Sequence, residues 1–197
     1  YASYALFAVG LVGTVFLPGT VYLYYLAALV PAAIVLALPL FASPAPLARV
    51  SVLMLFGFYA LFYVGLDQAG KSADRRASVA HLSQAIAPFV DRDSECLWIF
   101  DGPSVLYTTT DSCIATRFVY PDHLNNALET NALGVDQSGE VARVLATHPS
   151  VIVTANDPLT RQNATAGQLV RNALQSDYEP LASAKLGERT VQAWRRR

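Results

Sequence analysis

Cys96-Leu97-Trp98-Ile99-Phe100, closed by Asp101-Gly102-Pro103, and Val151-Ile152-Val153-Thr154, placed just after His148-Pro149, decide the fold of the charged part of this chain. Both are short, nearly all-apolar runs bounded by turn-forming residues. A strand with one face in water alternates apolar with polar side chains. A run without that alternation implies burial on both faces, as when a sheet carries helices on each side.

The sequence around the two runs supplies those helices. Ser72 is placed to cap a helix whose apolar residues Val79, Leu82, Ile86 and Val90 recur at helical spacing. Gly102 to Thr110 predicts a short helix. Ser138 with Glu140 opens another, carrying Val141, Val144 and Leu145 and stopped by His148-Pro149. Thr165-Ala166-Gly167-Gln168 has the spacing of a capping box ahead of Leu169, Val170, Ala173 and Leu174, and Asn163-Ala164-Thr165, which also fits a glycosylation sequon, is assigned to the same cap. Tyr178 to Leu186 and Arg189 to Trp194 alternate around Gly187 and predict a terminal hairpin. The expected fold over 67–197 is a small α/β domain, three-layered and Rossmann-like.

Residues 1–66 have a different composition. Of the 29 charged side chains in the 197 residues, only Arg49 falls there, and the remainder give 67–197 an ordinary water-soluble composition. Three α-helical transmembrane segments are predicted, at about 1–17, 21–42 and 50–66. At ~1.5 Å per residue, Val21 to Ala42 covers about 33 Å, enough to cross a ~30 Å hydrocarbon core with some tilt. Pro31 and Pro39 within it suit a membrane helix packed among others, where neighbours satisfy the freed carbonyls. A buried helical bundle in a large soluble core would need polar faces that these segments lack. Because Tyr1 stands inside an apolar run, the chain is expected to be a piece of a longer protein. The net charge of −1 without a basic face argues against nucleic acid as a partner.

Familiar catalytic motifs are absent from the sequence: no G-x-G-x-x-G follows Phe100 or Thr154, and there is no Walker loop, G-x-S-x-G elbow or H-E-x-x-H. His81, His123 and His148 are scattered, without a second ligand at metal spacing. The two cysteines are more informative. A strand of about 16 Å leading out from Cys96 and a helix of about 15 Å leading back return Cys113 close to Cys96, so a disulfide is geometrically easy. It would place the domain outside the cytoplasm. Two small buried thiols in a reducing compartment are the alternative. With three spans and an external domain, Ser43–Arg49 lies inside and Pro18-Gly19-Thr20 outside. Arg49 agrees with the positive-inside rule, whereas Lys71, Arg75 and Arg76 oppose it. Tyr22, Tyr24 and Tyr25 then sit at the outer interface, as an aromatic belt or as ligand contacts.

Val21-Tyr22-Leu23-Tyr24-Tyr25-Leu26, followed by Pro31 and an Ala/Leu run, resembles a late transmembrane helix of bacterial polytopic glycosyltransferases of the C-type fold, relatives of protein mannosyltransferases and lipid A aminoarabinose transferases. Asp101-Gly102-Pro103, Leu106-Tyr107, Cys113 and Thr116-Arg117-Phe118-Val119-Tyr120-Pro121-Asp122-His123-Leu124 are similar to the extracytoplasmic C-terminal domain that some of these proteins carry. The resemblance implies transfer of a sugar from a polyprenyl-phosphate donor on the outer face of the bacterial inner membrane. It also implies a catalytic acidic residue in an external loop between early helices, which residues 1–66 cannot supply because they contain no Asp or Glu.

No catalytic residue and no cofactor are therefore expected within the chain, and a divalent metal is allowed in the rest of such an enzyme. The lipid bilayer, the polyprenyl-phosphate sugar and an acceptor glycan, lipid or protein are the expected partners. Arg117, His123, Tyr24 and Tyr25 are the candidate substrate-binding residues, with Arg117 open to two roles: a phosphate contact or a structural salt bridge. The rival reading is a membrane-anchored extracytoplasmic binding module without catalysis. A transporter is disfavoured because no charged residue lies within a span.

Overall fold

The computed structural model describes residues 66–197 except 131 and 133, together with scattered helical positions between Ser3 and Gly57. The three predicted spans, the Ser43–Arg49 turn, Tyr24 and Tyr25 lie outside the described residues apart from those scattered positions. Among the described residues no helix is long and apolar enough to cross a membrane. The chain divides into two compact units, Tyr1–Gln68 and Ala69–Arg197.

The second unit is a small α/β domain with five α-helices and one four-stranded mixed sheet. In chain order the elements are α1 (Leu66–Ile86), β1 (Leu97–Ile99), α2 (Val105–Thr109), α3 (Asp122–Asn125), α4 (Gln137–Ala146), β2 (Val151–Ala155), α5 (Ala164–Asp177), β3 (Tyr178–Leu186) and β4 (Arg189–Arg196). Short 3₁₀ turns occupy Ala87–Phe89 and Ala127–Glu129. The strands lie in the order β1-β2-β4-β3. β1 and β2 are parallel, with Trp98 opposite Ile152, and β4 runs antiparallel between β2 and β3. The terminal hairpin therefore makes the sheet mixed, and only the β1–β2 half has the parallel pairing of a Rossmann-type fold.

Strand periodicity splits the apolar runs between two cores. Leu97, Ile99, Val151 and Val153 face one way, joined by Val191 and Ala193, and pack with Leu82 and Ile86 of α1 and Leu106 and Tyr107 of α2. Trp98, Phe100 and Ile152 face the other way, against Leu124, Val141, Val144, Ala166, Val170 and Leu174 of the remaining helices. All three residues of β1 and the first three of β2 are buried, because both faces of these strands are covered.

Helix boundaries depart from the sequence reading in four places. α1 begins before Ser72, which therefore stands inside the helix and not at its cap. It ends at Ile86, because Pro88 has no N–H to continue the α-helical ladder and the chain tightens into the 3₁₀ turn; Val90 is extended and reaches the core from outside the helix. The cap of α4 is Asp136, whose Oδ2 accepts from Gly139 N at 2.7 Å, and not Ser138. The cap of α5 is Asn163, accepting from Thr165 N and Ala166 N, so the Asn163-Ala164-Thr165 triplet does form the cap while Thr165 itself does not act as one. The β3–β4 turn matches expectation: Gly187 adopts φ 68°, which glycine tolerates at no steric cost.

Two tyrosines connect the layers. Ile99 N donates to Tyr107 Oη at 2.9 Å, and Tyr178 Oη donates to Pro149 O at 2.7 Å. Burial pushes both phenols up to about 12. A phenol whose value is raised on folding stabilises the fold fully below its unfolded value near 10, and that contribution is lost as pH rises through the folded value. Alkaline unfolding is therefore expected to begin between pH 10 and 12, with Tyr107 and Tyr178 ionising only as far-ultraviolet circular dichroism is lost. Absorbance titration of the phenolates beside that signal checks it, and Tyr107→Phe should remove part of the alkaline dependence.

Candidate functional site

The segment quoted for the resemblance runs around β1, leaving its carboxyl end through Asp101-Gly102-Pro103 and returning to its amino end at Cys113. Cys96 and Cys113 form a disulfide, with Cα atoms 4.7 Å apart. Two backbone contacts bring Cys113 there. Cys113 N donates to Asp91 O at 2.6 Å, and Ile114 bridges Leu97 in parallel just beyond it. Gly102 is required by close approach, since a Cβ at that position would lie 2.9 Å from Val153 Cγ1.

Asp101 is the most constrained charge of the site. It is 5% exposed, its Oδ1 accepts from Arg189 Nη2 at 2.6 Å, and its Oδ2 accepts from Gln162 Nε2 at 3.2 Å. Arg189 also donates through Nε to Asp157 O, so a single guanidinium ties the end of β1 to the loop after β2. Burial raises the Asp101 carboxyl above its ordinary value, and the Arg189 hydrogen bond and charge offset only part of that. Asp122 is raised as well, first by burial and then by repulsion from Glu129 and Asp101.

Buried amides hold the surrounding loops. Gln137, 2% exposed, donates to His123 O and Asn126 O, and its Oε1 accepts from Asn163 Nδ2 at 2.8 Å. Asn125 Nδ2 donates to Phe100 O at 2.7 Å, while its buried Oδ1 has no partner among the described residues. These amides satisfy backbone groups that would be costly to bury unpaired.

Of the candidate binding residues, Arg117 and His123 both adjoin Phe118. The exposed Arg117 guanidinium lies over the Phe118 ring, 5.0 Å from its centroid, and the His123 ring stands edge-on to Phe118 at 6.4 Å and to Tyr120 at 5.9 Å. Glu129 Oε2 lies 2.9 Å from His123 Nδ1 and orients the imidazole. Arg117 forms no ion pair within 4 Å among the described residues; its observed partner is an aromatic face. The neighbouring Glu140 is paired with Arg143 and accepts from Thr116 Oγ1. Its carboxyl lies below the ordinary value chiefly through the Arg143 hydrogen bond.

Chemically the arrangement is suited to binding. Both Asp101 oxygens are occupied, so that carboxylate is not placed to take a substrate proton. Among the described residues no group of three or more His, Cys, Asp or Glu is placed to hold a metal ion. The sequence reading missed the Asp101–Arg189 pair, whose members lie 88 positions apart, and the Gln137 network. The one available signal for the pair was the predicted hairpin, which returns Arg189 to the sheet. Comparison with known proteins finds no matching family model, no matching curated protein and no matching solved structure.

Proposed function

We propose that the chain is the C-terminal part of an integral-membrane glycosyltransferase that moves a sugar from a polyprenyl-phosphate donor on the outer membrane face. Its α/β domain is extracytoplasmic and acts by binding and positioning. The observation that carries this reading is the structural role of the residues on which the resemblance rests. Asp101 anchors the buried ion pair, Gly102 fits against Val153, Leu106 and Tyr107 enter the core, Cys113 closes the disulfide and Thr116 holds Glu140. These roles support reading the quoted stretch as part of one structural unit. The disulfide supports placement in an oxidising compartment.

The test uses the longer protein that contains this chain, purified in detergent with a labelled polyprenyl-phosphate sugar and a lysate of acceptors. Transfer of label is the expected result. Arg117→Lys keeps the charge but loses the planar fork that pairs bidentately with phosphate or carboxylate and stacks on Phe118. Turnover should fall roughly tenfold, the worth of one charge-assisted hydrogen bond, with an unchanged melting temperature because Arg117 is exposed. Wild-type turnover in that variant would leave Arg117 a plain surface charge. Absence of transfer from every donor would favour the rival, an anchored binding module, which the fully occupied Asp101 carboxylate already suits.

A further inference from the structure

We infer that the cleft between α5 and the sheet is a saccharide-binding subsite. In naming its ligand as the acceptor glycan the inference rests on the glycosyltransferase reading, whereas the binding itself follows from the cleft. Its volume is about 340 Å³, within the ~300–1,000 Å³ of small-ligand sites. Trp194 and Phe100 give it aromatic surface, and Gln162, Arg171, Gln192 and Asn156 are among the polar residues around them. The Trp194 indole N–H donates to Thr154 Oγ1 at 2.9 Å, which fixes the plane of the ring.

Gly167, buried in the first turn of α5, brings a donor and an acceptor into one place. A Cβ there would stand 3.2 Å from Arg171 Nη1 and 3.5 Å from Gln162 Oε1, so both groups occupy space that any other residue would contest. Each is held from behind. Arg171 Nη2 donates to Gln168 Oε1 at 2.8 Å, and Gln162 Nε2 donates to the buried Asp101. The Oε1 acceptor of Gln162 is thereby held with little rotamer freedom left to lose on binding, and the Arg171 Nη1 donor lies beside it.

The chemistry selects the ligand class. Among the described residues no carboxylate lines the cleft, so it lacks the charge a divalent cation favours, and a single guanidinium among neutral amides and hydroxyls is a poor match for a phosphate. A sugar ring has an apolar C–H face that suits an indole, and vicinal hydroxyls that both donate and accept. Amides and a guanidinium beside a fixed aromatic plane meet both needs.

The two tryptophans provide a built-in readout. Trp98 is 1% exposed on the sheet interior, so a fluorescence change caused by a small ligand reports Trp194. The 197-residue chain in detergent is titrated with the methyl glycosides of mannose, glucose, galactose, N-acetylglucosamine and arabinose, and with inorganic phosphate. At least one glycoside should give a saturable change, and phosphate none. Arg171→Ala should raise the half-saturation concentration about tenfold, the equivalent of one charge-assisted hydrogen bond, and Gln192→Ala should raise it less. Arg171 is exposed and bonds to Gln168 one helical turn away, so the melting temperature reports that the fold survives.

A flat titration with every glycoside overturns the subsite, as does a saturable signal that both variants leave untouched or one that phosphate reproduces. None of these results bears on sugar transfer by the longer protein. Glycoside binding without any transfer would instead sink the glycosyltransferase reading and leave a saccharide-binding module.

Discussion

Cys113→Ser is expected to lower the melting temperature of the chain by on the order of 10 °C. The bridge joins residues separated by 17 positions, and closing a loop of that size removes about 3 kcal/mol of unfolded-chain entropy in the chain-entropy model. For a domain of this size 1 kcal/mol moves the midpoint by roughly 3–5 °C. The loop contains β1, the Gly102-Pro103 turn and α2, and its closing residue leads directly into Thr116–Leu124. Its loss should therefore loosen the segment carrying Arg117 and His123 as well as the sheet edge. The double variant Cys96→Ser with Cys113→Ser separates the effects, since it removes the bridge without leaving a reactive thiol. Equal melting losses in the single and double variants assign the loss to loop closure, and an unchanged midpoint in both would show that native contacts alone define this loop. Intact mass under non-reducing conditions, before and after reduction with alkylation, verifies the bridge directly.

The reach of the sequence can be judged from particular residues. β1 and β2 were legible because two-sided burial leaves no polar alternation to blur them, and the hairpin was legible because Gly187 is the left-handed residue that its two-residue turn demands. The Cys96–Cys113 pairing was reached by a geometry only partly realised. β1 has three residues and α2 five, shorter than the strand and helix that the sequence reading assumed. Cys113 returns because the chain after α2 pairs back along β1: Leu97 N donates to Ser112 Oγ at 2.8 Å and Ile114 bridges Leu97.

Caps were poorly legible where several capable residues adjoin. Asp136 and Ser138 are both good caps by type, and the choice falls on the residue that is extended with a side chain in reach of Gly139 N. α3, with four residues, is too short to show a period. Tyr24 and Tyr25 lie outside the described residues, so their aromatic-belt and ligand readings stand as the sequence left them.

Arg189→Met is expected to destabilise the domain by about 3–5 kcal/mol at neutral pH, the usual cost of removing one partner from a buried pair. The side chains of Arg189 and Asp101 are 15% and 8% exposed, so the carboxylate left behind has little water and only Gln162 to receive it. Asp101→Asn in the same background removes the stranded charge and should recover most of the loss. That separates the burial of an unpaired charge from the loss of Arg189 packing.

The pH dependence of this deficit has a definite sign. Asp101 is already raised on folding, chiefly by desolvation, so its contribution is most favourable below its unfolded value and declines as pH rises through its folded value. Removing Arg189 takes away the influences that lower it and raises it further. The deficit should accordingly be largest at pH 7 and shrink toward pH 4, and denaturant unfolding at several pH values measures it. A deficit that does not change with pH would instead assign the loss to Arg189 packing and its bond to Asp157 O, and not to a stranded carboxylate. Because Gln162 shares Asp101 with Arg189 and reaches Gly167 with its Oε1, the same variant should also weaken glycoside binding at Trp194, whereas Asp101→Asn alone, which keeps an oxygen for Gln162 or Arg189, should weaken it less.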